Sequence, residues 1–339
     1  MKNGNARRLS VVVIAILTAA LALSASAGAR LAAGPKADHI AFMSLKDGQA
    51  DIYTMDAAGF AQVNLTHDQT IGWRADSEPA WSPDGQWVAF QRAYTKAPEL
   101  GTRLFVVSSF GKEMHALTPT TGPAVIDQHP AWSPDGSTIV FSSNRTGHFE
   151  LYMVKATGTG LVRLTYTNVG TENLEPAWSP DGQSIAFVRR QWSIGPEIPS
   201  IPTNSIYKLS FTNSVVQRVT SPPIGRSDCQ PAWSADSRQI AFESNRTGNW
   251  DIYIATRTLS TTSLMRVTSS KSAELHPTWA PYGNQIALIS DRTGATELYT
   301  LVLPVPGSIT PPQQPRQLTF DKAPKSNPSW EHVFMSASS

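Results

Sequence analysis

The sequence predicts an all-β fold, a six-bladed β-propeller built from four-stranded antiparallel blades. A Pro-x-Trp phrase recurs six times, and its mean spacing of about 50 residues is that of a propeller blade. The 25 Pro, 22 Gly and 10 Trp of the 339 residues agree with a fold rich in turns and aromatic anchors. The recurring tryptophans, expected to pack between neighbouring sheets, are Trp81, Trp132, Trp178, Trp233, Trp279 and Trp330.

Each repeat unit has the signals of four short strands in a fixed order. The Pro-x-Trp phrase opens the first strand, and a Pro-Asp-Gly turn follows, as at 83–85, because Pro fixes φ and Gly accepts a positive φ. A β-branched second strand comes next, as at 40–42, then a third as at 51–53. The fourth strand ends in Leu-Thr or Val-Thr, as at 65–66. Every strand type occurs six times.

The repeats are out of phase with the chain. The propeller, expected over 38–334, starts with a second strand at Ile40 and ends with a first strand at Trp330. We therefore expect the last blade to combine both ends of the chain, with 329–334 paired beside 40–42. This pairing would close the ring and remove exposed sheet edges.

The N-terminus has the pattern of a signal peptide, expected over 1–27. Lys2 and two arginines precede an apolar run at 11–23, and small residues follow at 24–28. The alternative is an uncleaved anchor, but a spanning helix needs about 20 apolar residues. A short linker (28–37) and a C-terminal tail (335–339) complete the predicted organisation. We expect an exported protein, periplasmic, in the cell envelope or extracellular, with no stable membrane span in the mature chain.

The Trp-Ser-Pro-Asp-Gly phrases resemble the WD40-like repeats of the TolB family, which also occur in propeller domains of prolyl-oligopeptidase-like enzymes. The resemblance covers 38–334 and implies the six-bladed fold. Three copies depart from the Pro-Asp-Gly turn: 235–237, 281–283 and the stretch after Trp330. The α/β domain that precedes the TolB propeller and the Gly-x-Ser-x-Gly elbow of the peptidases are not recognisable in this sequence.

These observations predict a binding protein rather than an enzyme. The net charge of +2 does not indicate a nucleic-acid partner. We expect a monomeric, non-catalytic exported scaffold that engages a protein or peptide on its loop and channel-mouth face, without a cofactor. The alternative is a carbohydrate or small-ligand site in the central channel, with metal-assisted lyase or hydrolase chemistry as one form of it.

Two sets of polar positions stand near the start of each first strand. The residue before the strand-opening Pro varies and is expected to ring the channel mouth as a ligand-binding site: Glu78, His129, Glu175, Gln230, His276 and Asn327. Two positions earlier, four acids suggest an acidic loop face, or alternatively an Asx-type turn: Asp76, Asp127, Asp228 and Glu274. A divalent cation could bind Glu78, His129 and Glu175, although polar side chains at a wet channel mouth need no ligand.

Other features admit both a structural and a binding role. The hairpin arginines Arg145, Arg246 and Arg292 are expected to pair with the acids that open the following strands, Glu150, Asp251 and Glu297. The long hairpins at 91–102 and 189–202, and the exposed aromatic candidate Trp73, could contact a partner or could cap their own blades.

Overall fold

A computed structural model describes residues 38–67, 73–95, 100–119, 125–192, 201–257, 262–281, 284–304 and 314–331. The predicted signal peptide (1–27), linker (28–37) and tail (335–339) lie outside the described residues, as do parts of the hairpins at 91–102 and 189–202. In the described part of the chain, no helix is long and apolar enough to cross a membrane.

The described residues form strands only, in agreement with the turn-rich composition and the period-two patterns of the sequence. The strands in chain order are β1 (His39–Ser44), β2 (Asp51–Asp56), β3 (Val63–Asn64), β4 (Arg74–Trp81), β5 (Trp87–Tyr94), β6 (Gly101–Ser108), β7 (Met114–Ala116), β8 (Asp127–Trp132), β9 (Thr138–Ser143), β10 (Glu150–Lys155), β11 (Val162–Arg163), β12 (Thr171–Trp178), β13 (Ser184–Trp192), β14 (Pro202–Ser210), β15 (Val216–Arg218), β16 (Asp228–Trp233), β17 (Gln239–Ser244), β18 (Asp251–Arg257), β19 (Thr262–Arg266), β20 (Glu274–Trp279), β21 (Gln285–Ser290), β22 (Glu297–Val302), β23 (Arg316–Gln317) and β24 (Lys325–Trp330).

These strands form six four-stranded sheets within the described ranges, so the predicted six-bladed propeller is confirmed. Blade 1 has the order β24-β1-β2-β3, and blades 2 to 6 follow along the chain as β4–β7, β8–β11, β12–β15, β16–β19 and β20–β23. In blade 1, β24 lies antiparallel to β1, with Ile40 opposite Trp330 and Ser44 opposite Lys325. Strands from both ends of the chain therefore share one sheet.

The core lies between the blades. Second and third strands supply fully buried residues such as Phe42, Phe141 and Leu104. One apolar cluster joins residues of blades 1 and 6, and another joins residues of blades 5 and 6. Each sheet therefore buries its faces against its two neighbours, which is how a propeller hides apolar surface that one blade alone would expose.

Blades 2 and 4 are longer than the others at one end. β5 has eight residues and β13 has nine, whereas β9 has six. The extra residues lie at the end that leads into the second–third hairpin, where two or three residues add about 7–10 Å of strand. We call this end of the propeller, formed by the second–third hairpins and the connections between blades, the loop face. Blades 2 and 4 thus extend furthest on the loop face.

Candidate functional site

A β-bulge in every first strand creates the channel-mouth positions. In blade 2, Ser77 pairs with Gln91 and Ala80 with Ala89, so Glu78 and Pro79 both face Phe90 on the neighbouring strand. Pro has no N–H for the ladder, and a bulge is one of the few places where a strand tolerates it. The same shift recurs in the other blades.

The bulge places each residue before the Pro in the left-handed region. Their φ values lie between 51° and 55°, a conformation that costs a residue with a Cβ roughly 1–2 kcal/mol. These six residues are Glu78, His129, Glu175, Gln230, His276 and Asn327.

All six predicted channel-mouth residues line one central cavity of about 220 Å³. The cavity runs along the first strands, past the six tryptophans, as far as Pro83, Pro134 and Pro180 of the turns at the other end. The repeated Pro-x-Trp phrase therefore builds the wall of the channel, and the residue before it supplies the variable side chain at the mouth. The role of the six channel-mouth residues in binding remains a prediction.

Hydrogen bonds connect several neighbours around this ring. The Asn327 side-chain amide donates to Glu78 Oε2 (2.9 Å), and the Asn327 backbone N–H donates to Nδ1 of His276 (3.3 Å). On the other side, the Gln230 backbone N–H donates to Glu175 Oε2 (2.7 Å). The mouth is thus a connected arrangement of carboxylate, imidazole and amide groups contributed by separate blades.

A third carboxylate, Glu243 on β17, adjoins the ring and was not among the sequence candidates. It is 6% exposed, and its Oε2 accepts a hydrogen bond from the His276 backbone N–H (2.8 Å). The matching position in the other blades carries Met43, Gln91, Ser142, Val188 and Ile289. A carboxylate at a position that is uncharged in the other five blades is the signal that would have identified it.

Burial changes the protonation of these acids. It raises the pKa of Glu78 to about 8, and the charges of Glu175 and Glu243 add to that shift. Burial also raises the pKa of Glu243 to about 8, partly opposed by the hydrogen bond from His276. The pKa of Glu175 is raised by burial too, against the hydrogen bond from Gln230 and the charge of Arg190.

The two histidines of the ring are held neutral. Burial lowers the pKa of His129 to about 3, with the charges of His276 and Arg190 adding to the effect, and burial lowers the pKa of His276 to about 4. Nε2 of His129 lies 3.6 Å from Glu78 Oε1, and its buried Nδ1 has no hydrogen-bond partner among the described residues. At neutral pH neither imidazole therefore supplies a positive charge to the carboxylates.

The predicted acidic loop face is wrong. Each of its four acids is completely buried, and each is paired with an arginine on the second strand or in the hairpin that follows it. The register explains the pairing: Asp127 lies opposite Ser143, and Arg145 follows two residues later. The four ion pairs are Asp76–Arg92 (2.7 Å), Asp127–Arg145 (2.7 Å), Asp228–Arg246 (2.8 Å) and Glu274–Arg292 (2.8 Å).

The predicted partners of the hairpin arginines are wrong for the same reason. Each arginine turns back to the first strand, and its guanidinium lies over an aromatic ring of its own blade, as Arg246 does over Tyr253 (4.9 Å). The acids that open the third strands pair with other cations instead. Those pairs are Glu150–Arg163 (2.9 Å), Asp251–Arg266 (2.7 Å) and Glu297–Lys325 (3.7 Å).

The metal hypothesis gains no geometric support. Across the described ranges, no group of three or more His, Cys, Asp or Glu side chains is arranged to hold a metal ion. Glu78, His129 and Glu175 line the same cavity without forming such a ligand set. A metal at these residues stays a prediction.

Exposed apolar side chains lie on the loop face of blade 4 and beside it. Trp192 is 39% exposed, Ile201 42%, and Ile224 84%. Trp192 lies opposite Pro202 in the β13–β14 ladder, and Ile201 lies close to Gly225. We call Trp192, Ile201 and Ile224 the apolar ridge. Long exposed apolar side chains grouped in this way are typical of interaction sites.

Comparisons with known proteins agree with the repeat architecture. Residues 79–213 match a family model described as the TolB beta propeller domain. The Tol-Pal system protein TolB of Desulfosudis oleivorans is 30% identical over 130 residues, which are 37% of this chain and 26% of that protein. The match therefore covers only a minor part of the relative's length.

Solved structures extend the likeness to most of the chain. TolB from Acinetobacter baumannii superposes with a TM-score of 0.63 at 19% identity, over 87% of this chain and 67% of that one. An oligogalacturonate lyase in complex with manganese gives a TM-score of 0.53 at 16% identity, over 78% of this chain and 74% of the lyase. At such identities the likeness shows the fold alone.

Proposed function

Because this chain is a TolB-like six-bladed β-propeller, we propose that it is a non-catalytic exported scaffold that binds a protein or peptide at the channel mouth and the surrounding loop face. The observation that carries the proposal is the channel-mouth ring itself. Six residues in the same strained conformation carry different polar side chains into one cavity. Backbone strain of this kind persists where the surrounding structure enforces it, often at binding sites.

Two further observations support this proposal. The apolar ridge lies on the loop face, where Trp192 and Ile224 leave aromatic and aliphatic surface exposed. Aromatic anchors of this kind dominate binding energy in protein interfaces. The relative from Desulfosudis oleivorans is named as a protein of the Tol-Pal system, which supports a role within an assembly of proteins. Export is proposed from the N-terminal pattern of 1–27.

Site-specific photo-crosslinking in the native host tests the binding face. A benzophenone amino acid in place of Trp192, on the loop face, should give a crosslinked adduct of defined mass. The matched control is Phe110, which is 81% exposed at the opposite end, where Ser109 bonds Gln86 beside the first–second turn. Equal adducts from both positions, or an adduct from Phe110 alone, would contradict binding on the loop face.

A small polar ligand in the central channel is the second candidate function. It is favoured by the cavity of about 220 Å³ and by the raised pKa values of Glu78, which lines the cavity, and of Glu243, which accepts a hydrogen bond from the backbone of His276 at the mouth. Perturbed carboxyls concentrate at binding and catalytic sites. Elemental analysis of protein purified without chelators or a histidine tag tests the metal-assisted form. A fully folded, metal-free preparation that takes up no Mn²⁺ in equilibrium dialysis would exclude it.

A further inference from the structure

The carboxylates at the channel mouth lack the arginine partners that the four buried acids of the first strands have. Those acids are Asp76, Asp127, Asp228 and Glu274. Among the described residues, no Lys or Arg lies within ion-pair distance of Glu78, Glu175 or Glu243. By contrast, Asp127 and Asp228 each have an arginine at hydrogen-bond distance. A buried carboxylate without a partner is costly, so its charged form is stabilised most by a cation from outside the chain.

The polar atoms of these acids are incompletely used. Only Oε2 of Glu243 and only Oε2 of Glu175 have hydrogen-bond partners within the described ranges, and in both cases the donor is a backbone N–H. Glu243 is also largely buried, with 6% of its surface exposed. The remaining oxygens can accept from a ligand ammonium or guanidinium group, for which charge-assisted hydrogen bonds are the strong ones.

The size of the cavity limits what can enter it. A cavity of roughly 150 Å³ already admits a benzene molecule. The central cavity, at about 220 Å³, therefore has room for one long side chain but not for a folded element. Tryptophans and prolines, together with alanines and a few Ser and Thr residues, form the rest of its lining, which suits the methylene stem of a lysine or arginine.

The apolar ridge starts on the blade that also carries Glu175 of the channel mouth. The Trp192 backbone N–H donates to the Gly170 carbonyl (3.2 Å), and Arg190 on the same strand pairs with Glu172 (3.1 Å). The ridge therefore starts from the strand that also carries Arg190, whose charge acts on both Glu175 and His129 of the channel mouth. Apolar surface on the same blade as an acid of the cavity is complementary to a segment that carries a basic residue among apolar ones.

We propose that the partner is a peptide segment that inserts one Lys or Arg side chain into the central cavity, between Glu78 and Glu175, and lays neighbouring apolar side chains on Trp192, Ile201 and Ile224. This inference rests on the proposed function and adds the chemistry of the partner. The cation replaces the missing counter-charge of the mouth, and the ridge supplies apolar contact.

Selection from a random peptide library displayed on phage tests this chemistry, with the mature protein as the immobilised target. Peptides enriched on the wild type should share one Lys or Arg with aromatic or aliphatic residues beside it. The same library is selected in parallel on Glu78→Gln/Glu175→Gln and on Glu113→Gln, a matched control with an exposed acid in the turn at the opposite end. The control should keep the preference, and the double variant should lose it.

The outcomes separate this inference from the proposed function. Enriched peptides without a basic residue, or with an acidic one, would overturn the inference and leave a peptide-binding scaffold. Failure to enrich any sequence on the wild type would overturn both. If peptides selected on the double variant still share a basic residue, that residue binds outside the central cavity, and the inference is refuted.

Calorimetry with the best selected peptide provides a second measurement. Replacing its basic residue by Gln should weaken binding about tenfold or more, the effect of losing a charge-assisted hydrogen bond. On Glu78→Gln/Glu175→Gln the same replacement should change the affinity little, as a double-mutant cycle requires for coupled groups. Equal losses on both proteins would contradict insertion of the cation at this site.

Discussion

Two rings of polar side chains lie two positions apart in the same first strands, and they differ in burial and in ion pairing. The first ring, at positions such as Asp228, is buried, and in four blades an arginine neutralises its acid. The other ring, at positions such as Gln230, opens into the central cavity, and its carboxylates have no Lys or Arg partner in the described residues. The arginine-paired ring ties each first strand to the rest of its own blade, and the ring at the channel mouth presents varied side chains to the cavity.

The difference shows how a repeat protein separates stability from recognition. An ion pair that recurs from blade to blade, with an Asp or Glu, an arginine and a tyrosine ring, contributes to folding. A position that keeps its backbone conformation but varies among Glu, His, Gln and Asn is free to serve a ligand. The two roles are divided between adjacent positions of one strand, so substitutions in one strand can test them side by side.

The largest expected effect comes from Asp228→Ala. This substitution leaves Arg246 and Ser244 without the carboxylate that accepts their hydrogen bonds. Breaking a buried ion pair should lower the free energy of unfolding by about 3–5 kcal/mol, as measured by chemical denaturation. Gln230→Ala, in the same strand, is the matched control and should change it by less than about 1 kcal/mol. Similar losses at both positions would remove the contrast between the rings.

A smaller effect should appear in the dependence of stability on pH. Glu78 and Glu243 have raised pKa values of about 8, so the folded state keeps protons that the unfolded state releases above about pH 4.5. Stability should therefore fall as the pH rises toward 8. The lowered pKa values of His129 and His276 act in the opposite direction, but only below their ordinary value of 6.5.

The midpoint of thermal unfolding should consequently fall between pH 6.5 and 8, where only the carboxyls contribute. Glu78→Gln/Glu243→Gln should flatten this decline, whereas Glu113→Gln should leave it unchanged. If the double variant declines as steeply as the wild type, the two acids are already ionised in the folded protein and the mouth is not the uncompensated ring described above.

The smallest expected effect is a gain. Gln230 has a φ of 52°, and the cost of this conformation falls on any residue with a Cβ. Gln230→Gly should raise the free energy of unfolding by about 0.5–1 kcal/mol, because relief of the strain exceeds the extra entropy of glycine in the unfolded chain. Gln230→Ala keeps the strain and should show no gain. A loss on introducing glycine would mean that the Gln230 side chain itself stabilises the fold.

Most of the fold could be predicted from the sequence because its signals are local and occur six times. The turns, the second-strand apolar triplets and the tryptophans each depend on a few neighbouring residues. The channel-mouth ring was found in the same way, since Glu78 and its five equivalents precede a Pro in every blade. The lengthened strands of blades 2 and 4 were visible only as irregular hairpins, because strand extension depends on pairing across the hairpin.

The side-chain partners could not be predicted because they depend on register. The hairpin sequence predicts that Arg145 pairs with Glu150, five residues ahead, but the strand ladder brings it to Asp127, which is 18 residues away. The prediction of an acidic loop face is wrong for the same reason. A carboxylate near a strand end is exposed or buried according to the residue opposite it. Glu243 could not be predicted because it reaches the mouth through a hydrogen bond from His276, which is 33 residues away in sequence and on the neighbouring blade.

The shared blade has a consequence for how the chain acquires its structure. Until Lys325–Trp330 is in place, β1 has an unpaired edge, whereas the second strand of every other blade already has its first strand beside it. Addition of this strand joins residues from the two ends of the propeller, and contacts between such distant residues form slowly. A chain released without Lys325–Trp330 would therefore present an open edge to any extended segment, including the same strand of another copy.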